Sequence, residues 1–338
     1  MQERNWLLMG GAWRGSWGHE NSKAFTMKKN TRIIFLTLIS LAVTFSAALE
    51  PSKNKNGEIY PEIQPHGNLT FTSKFNGKVT VIDDGVHRSL LFGSRSDGAI
   101  QSKMALRNKS RLLFHYTICS TLGFVLFREP KKEVENILMI GLGGGSIPRF
   151  IRKYFPYTRI DVVDIDPLIV DIARKYFFVR QEDGLKIYIE DGRKFIETVR
   201  KTYDIVILDA FGEDNEIPSQ LTSIEFLRRV KSHLSPKGIL ITNLIINDKK
   251  KYESAVATYR NSFKYVFRFN LETFHDANAV LISFNDDSKN IGSGEFLKRA
   301  GEFEKFLNHE YDLKKYAALL NADELIQKDV EIIHDEQH

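Results

Sequence analysis

From residue 136 onward the chain alternates short apolar runs with amphipathic stretches. Ile137 to Ile140 is continuously apolar, as a strand buried on both faces of a parallel sheet should be, and it leads directly into Gly141-Leu-Gly-Gly-Gly145. Ser146 to Tyr154 then predicts a helix, and Ile160 to Val163 a second strand ending in Asp164. The alternation continues through a helix opened by Pro167 and running to Phe177, a strand from Leu185 to Ile189 that closes on Glu190-Asp191-Gly192, a helix from Arg193 to Lys201 and a strand from Tyr203 to Asp209. Thr222, with Glu225 three residues on, predicts a capping box for a helix reaching Leu234. Strands follow at Ile239 to Thr242, Tyr265 to Phe269 and Ala279 to Phe284, then helices from Gly294 to the end. Strands and helices alternating at this spacing specify an α/β fold with a doubly wound, mostly parallel sheet, in which ligands bind beyond the carboxyl ends of the strands.

Upstream the period changes to two. Leu69, Phe71, Val79 and Val81, with turn signals at Asn76-Gly77 and Asp83-Asp84-Gly85, predict a small N-terminal antiparallel β-domain of two or three strands. The apolar segment Arg111 to Phe127 reads as a helix packing that lobe onto the sheet, giving a β-domain over 69–127 and an α/β domain over 128–338. Residues 49–68, rich in Pro, Lys, Asn and Gly, read as a linker. Before it, basic Met27 to Arg32, apolar Ile33 to Phe45 and small Ser46-Ala47-Ala48 have the layout of a secretory signal starting at Met27. Export, or anchoring through residues 33–48 with N-terminal membrane contact, is therefore expected. A cytoplasmic location is the alternative. Residues 1–26 read as an upstream extension.

Composition narrows the picture only in places. A net charge of +5 with acids and bases mixed along the chain does not indicate a nucleic-acid partner. The single cysteine, Cys119, excludes an intrachain disulfide and any cysteine-built metal site. His87, His115 and His275 have no ligand spacing, so no metal is expected.

The candidate chemistry lies at the glycine turn. Glycines there permit a tight turn and a close approach of a ligand to the main chain, and the helix that follows turns its N-terminus toward that ligand. Asp164 stands 23 residues after Gly141, about where an acid ending the second strand of a nucleotide-binding unit accepts from ribose hydroxyls. Asp164, Asp191 and Asp209 each end or follow a strand, so all three face one rim. Each could instead cap a helix. As a set they assign the ribose diol to Asp164, the adenine amino group to Asp191 and the reacting end of the ligand to Asp209. Ser146 stands where a dinucleotide fold usually has its third glycine. The spacing Gly141-x-Gly143-x-Gly145 instead resembles the class I S-adenosylmethionine (SAM) motif, giving a SAM-methyltransferase-like (Rossmann-like) fold.

Gly141-Leu-Gly-Gly-Gly145, Val163-Asp-Ile-Asp166, Asp191-Gly192, Tyr203-Asp-Ile-Val-Ile-Leu-Asp209 and Pro236-Lys-Gly238, together with Asp83-Asp-Gly-Val86 upstream, resemble the spermidine synthase (polyamine aminopropyltransferase) family. The resemblance covers roughly Leu69 to Phe284. It implies decarboxylated SAM, or SAM itself, as cosubstrate, a small putrescine-like amine as acceptor, Asp209 as the catalytic acid or base, a cofactor site at Gly141, Gly143, Gly144, Gly145, Asp164, Asp191 and Gly192, and a homodimer. Ser146 replaces the family's acid after the glycines, and Asp209-Ala-Phe-Gly212 keeps only the first aspartate of its Asp-Ser-x-Asp-Pro loop, leaving Glu213 or Asp214 as substitutes for the second. The family's Tyr-His-Glu or Tyr-Gln-Glu segment corresponds at best to Phe114-His115-Tyr116, and its glutamine after Asp-Gly to Arg88. These departures point to a divergent spermidine-synthase-like branch. A SAM-dependent methyltransferase and a non-catalytic nucleoside-binding module remain as alternatives.

Overall fold

The computed structural model describes residues 62–93, 99–212, 217–321 and 330–335. The extension, the apolar segment and most of the linker read over residues 1–61 lie outside the described residues, as do Glu213 and Asp214. Among the described residues no helix is long and apolar enough to cross a membrane.

Strands β1 (Asn68–Ser73), β2 (Gly77–Asp83), β3 (His87–Phe92) and β4 (Ala99–Ala105) form an antiparallel meander in sequence order. The first three follow the alternation in the sequence. The fourth was not legible, because its pairing with β3 shifts register at Leu90/Leu91, leaving Gln101 as an extra residue: Ile100 before the shift is 48% exposed, whereas Ser102 and Met104 after it are buried.

The second sheet has eight strands: β5 (Asn136–Ile140), β6 (Arg159–Asp164), β7 (Leu185–Ile189), β8 (Tyr203–Leu208), β9 (Leu234–Ile245), β10 (Tyr265–Asn270), β11 (Asn278–Phe284) and β12 (Leu320–Asn321). Their order is β12-β10-β11-β9-β8-β5-β6-β7, with β5 to β9 parallel and the β10 to β12 flank antiparallel. Successive residues feed opposite cores: Ile137 and Met139 with Ile205 and Ile207 on one face, Leu138 and Ile140 with Val206 and Leu208 on the other. Helices therefore cover both faces, which is why these strands are apolar throughout.

The helices are α1 (His115–Ser120), α2 (Pro130–Glu133), α3 (Ser146–Tyr154), α4 (Pro167–Tyr176), α5 (Gly192–Thr198), α6 (Ile224–Ser232), α7 (Lys249–Ser262), α8 (Ser293–Phe306) and α9 (Leu313–Ala317). Three expectations are corrected. The apolar stretch Arg111 to Phe127 is not one helix: α1 gives way to a 3-10 turn at Thr121–Leu126, where a Cβ on Gly123 would come within 2.4 Å of Ile241 Cδ1. Ser223, not Thr222, caps α6, its hydroxyl accepting from the Phe226 amide. Glu225 turns away to the C-terminal segment, accepting from the Asp335 amide. Finally, the region after Gly294 is not wholly helical, since Leu320–Asn321 pairs with β10.

The meander packs on α4 through Val79, Val81, Leu90 and Met104 against Ile169, Ile172 and Tyr176. Two polar locks hold it there. Arg88 pairs with Asp83 at 2.6 Å and donates to the Tyr176 carbonyl. Buried Asp166 accepts from Ser73 Oγ, from Asn76 Nδ2 at 2.7 Å and from the Leu168 amide at 2.9 Å. Arg88 is thus a structural residue and does not take the place of a substrate-facing glutamine.

Candidate active site

A cleft of about 250 Å³ opens at the carboxyl ends of β5, β6, β7 and β8. Its floor is the glycine turn after β5. Gly141 has φ +96, and a Cβ there would lie 2.2 Å from the Asp209 carbonyl oxygen. Only glycine allows β5 and β8 to end so close together. Gly145, at φ +67, precedes α3, where a Cβ would meet Val179 at 2.3 Å. The turn is gripped from two sides: the Gly144 amide donates to Ser102 Oγ at 2.8 Å, and the Arg149 guanidinium donates to the Gly144 carbonyl.

Asp164 ends β6 and accepts from the Leu142 amide at 2.8 Å and the Asp166 amide at 2.9 Å. Burial raises its carboxyl to about 6; the backbone donors oppose that rise and the neighbouring Asp166 adds to it. Asp191 caps α5, accepting from the Arg193 and Lys194 amides at 2.8 and 3.1 Å, while it also lines the cleft. Its capping role and its place on the rim thus coexist.

Asp209, at the tip of β8, accepts from Asn243 Nδ2 at 3.0 Å and from the Tyr116 hydroxyl. Burial raises it to about 6, with both donors pulling it down. Burial first, and then Asp209, push the Tyr116 phenol well above its ordinary value, so it acts as a donor. Asn243 in turn accepts from Asn278 Nδ2 at 2.7 Å.

The structure therefore brings Gly141, Gly143, Ser146, Asp164, Asp191, Gly192, Tyr116 and Asp209 into one cleft, with Gly144 and Gly145 behind its floor. It does not bring His115 there: that ring stacks on Phe274 at 4.8 Å, and Nδ1 meets the Tyr316 hydroxyl at 2.7 Å. Adjacent positions in α1 point apart, so Tyr116 reaches the cleft and His115 does not. Phe75, Asn76, Gln101, Ser102, Phe211 and Gln220 also line the cleft and were not singled out in the sequence. Gln101, from β4, lines the cleft, whereas Arg88, at the position of the family's glutamine, does not. The signal for it was present in Ile100-Gln-Ser-Lys, but only pairing with β3 reveals which side faces the turn. Among the described residues no group of three or more His, Cys, Asp or Glu side chains is placed to hold a metal ion.

The spermine/spermidine synthase domain matches residues 112–285. The polyamine aminopropyltransferase of Chromobacterium violaceum is 35% identical over 188 residues, covering 55% of this chain and 69% of that protein. The human eEF1A lysine and N-terminal methyltransferase is 29% identical over 214 residues, covering 59% of this chain; the chain spans only 30% of that relative's length. Among solved structures, human methyltransferase-like protein 13 in complex with SAH superposes with a TM-score of 0.54 at 28% identity, covering 58% of this chain and 93% of the other.

Proposed function

Since this chain belongs to the spermine/spermidine synthase family, we propose that its cleft transfers an aminopropyl group from decarboxylated SAM to a small, putrescine-like amine. The observation that carries this reading is the position of Asp209: its backbone closes against Gly141 and its carboxylate faces the cleft between Asn243 and Tyr116. In such a reaction the amine nitrogen attacks the carbon beside the sulfonium, the carbon–sulfur bond breaks, and its electron pair leaves on sulfur as a neutral thioether. The incoming ammonium must first lose a proton. A carboxylate held by two donors can orient that nitrogen and accept the proton, while its negative charge stabilises the cationic centre. Asp164, at the tip of the neighbouring strand, suits the ribose diol, and Asp191 the adenine edge.

A second reading, methyl transfer from SAM itself, is favoured by Ser146. This residue lines the cleft where the aminopropyltransferase pattern has an acid, and a serine there would not repel the carboxylate of SAM. Incubating the protein with each donor and a panel of amines separates the two: methylthioadenosine is the product of the first reaction and S-adenosylhomocysteine of the second. Release of neither thioether, with any amine, would refute transfer of both kinds and leave a nucleoside-binding module.

A further inference from the structure

Behind Asp209 lies a hydrogen-bonded relay that reaches away from the cleft. Asn243 is 3% exposed and sits between two polar partners: its Nδ2 donates to Asp209 Oδ1 at 3.0 Å and its Oδ1 accepts from Asn278 Nδ2 at 2.7 Å. An ionised carboxylate can only accept, so Asn243 must turn its amino end toward Asp209. That leaves its carbonyl facing Asn278, which must then be a donor. Asn278 opens β11, where its own amide donates to Asp276 Oδ1 at 3.1 Å and its carbonyl accepts from Leu271. These backbone contacts hold it in place whatever its side chain.

We infer that Asn278 is a positioning residue for the transfer reaction: by donating to Asn243 Oδ1 it stabilises the orientation in which that amide turns its amino end to Asp209, and so helps to keep the carboxylate ionised and aimed into the cleft. The inference rests on the function proposed above only in calling Asp209 catalytic; the relay itself is independent of it. Asn278 is absent from the cleft lining, and so acts through Asn243 alone. Among the described residues, the titratable groups facing Asp209 are Tyr116 from α1 and, on the neighbouring rim, Asp164 and Asp191. Asp276, in the β10–β11 connection, acts on Tyr116. Asn278→Ala leaves the charge of each of these groups in place, whereas Asn278→Asp adds a charge that Tyr116 and Asp276 also feel, so the alanine variant isolates the hydrogen bond.

The test compares Asn278→Asp with Asn278→Ala. A carboxylate at 278 competes with Asp209 for the Asn243 amino group and draws the amide round, presenting a carbonyl oxygen to Asp209. The Asp209 pKa should then rise by about 1–2 units, as expected when a donor to the charged form is lost and a negative charge is added nearby. Asn278→Ala, which removes the donor without adding charge, should move it in the same direction by about half as much. The titration is followed by carbon-13 NMR of aspartate-labelled protein, with the resonance assigned by its disappearance in Asp209→Asn, so it reads the relay even if no amine is turned over. Where turnover is measured, kcat should fall and the acid limb of its pH profile move up, with methylthioadenosine affinity unchanged. An Asp209 titration that stays put in both variants, with circular dichroism matching the parent, would overturn the inference. Should Asn278→Asp fail to fold, the uncharged Asn278→Ala carries the same test.

Discussion

Replacing Asp209 with asparagine removes a charge and little else. Asparagine has the same shape, its Oδ1 can still accept from Asn243 Nδ2, now 3.0 Å away, and the Tyr116 hydroxyl can still find a partner in the side chain. The fold should therefore survive, and any loss of rate measures the carboxylate itself. Loss of a positioned general base lowers turnover by about 100- to 10,000-fold. The wild-type profile provides a second, independent magnitude. With its carboxyl at about 6 in the free protein, Asp209 is half ionised at that pH and roughly one-tenth ionised one unit below it. Accordingly kcat/KM should rise about fivefold between pH 5 and 6, about tenfold between pH 5 and 7, and level off above 7, since that ratio reports the free enzyme. The limb seen in kcat should lie lower, because a bound sulfonium favours the ionised form. Thioether release, followed by chromatography from pH 5 to 8, gives both profiles. An Asp209→Asn protein that keeps more than about a tenth of the activity, or a wild-type profile flat across pH 6, would refute the assignment of Asp209 as the proton acceptor.

Gly141→Ala should destabilise by about 2–5 kcal/mol, combining left-handed strain with overpacking against the Asp209 carbonyl, read as a lowered urea midpoint, whereas an unchanged midpoint would mean that β5 and β8 are not in contact there. Asp166→Ala strands Ser73, Asn76 and the Leu168 amide, which should cost about 2–4 kcal/mol; its urea transition should also broaden or split if the meander separates from α4. Asp164→Ala should weaken methylthioadenosine binding by about 10- to 100-fold in calorimetry, matching the loss of one or two hydrogen bonds to a charged group. Because the folded pKa of Asp209 lies above its ordinary 3.8, the folded state binds the extra proton, and the group's effect on stability becomes less favourable as pH rises from about 4 to 6. Denaturation of the wild type and Asp209→Asn across that window should therefore show the wild type losing ground to the variant with rising pH, by at most about 3 kcal/mol.

Much of this architecture could be read from residue order. Strands β5 to β9 carry runs that are apolar on both faces, and a sheet covered by helices on each side is the arrangement that buries them. The turn at Gly141 was legible because only glycine tolerates its backbone angles, and the rim acids because strand ends are marked by the change from apolar to polar. Other features could not be read locally. Ser102 and Gln101 reach the cleft only because β4 pairs with β3, a contact decided by register and not by periodicity. Asn243 lies inside an apolar strand, where one amide gives no hint of its partners until β8 and β11 are set beside it. The choice between His115 and Tyr116 depended on the phase of a helix shorter than two turns, and that phase was set by packing against Phe274 and Tyr316.

The buried carboxylate of Asp166 bears on how relatives of this protein can be recombined. It caps α4 while holding two side chains of the meander, so the lobe that supplies Gln101 and Ser102 to the cleft is keyed to the very segment that carries Asp164. A chimera grafting that lobe from another sequence would need to bring a hydroxyl and an amide matching Ser73 and Asn76, or leave a buried charge with only the Leu168 amide as donor. Exchange of acceptor preference by module swapping should therefore succeed only where the three residues travel together.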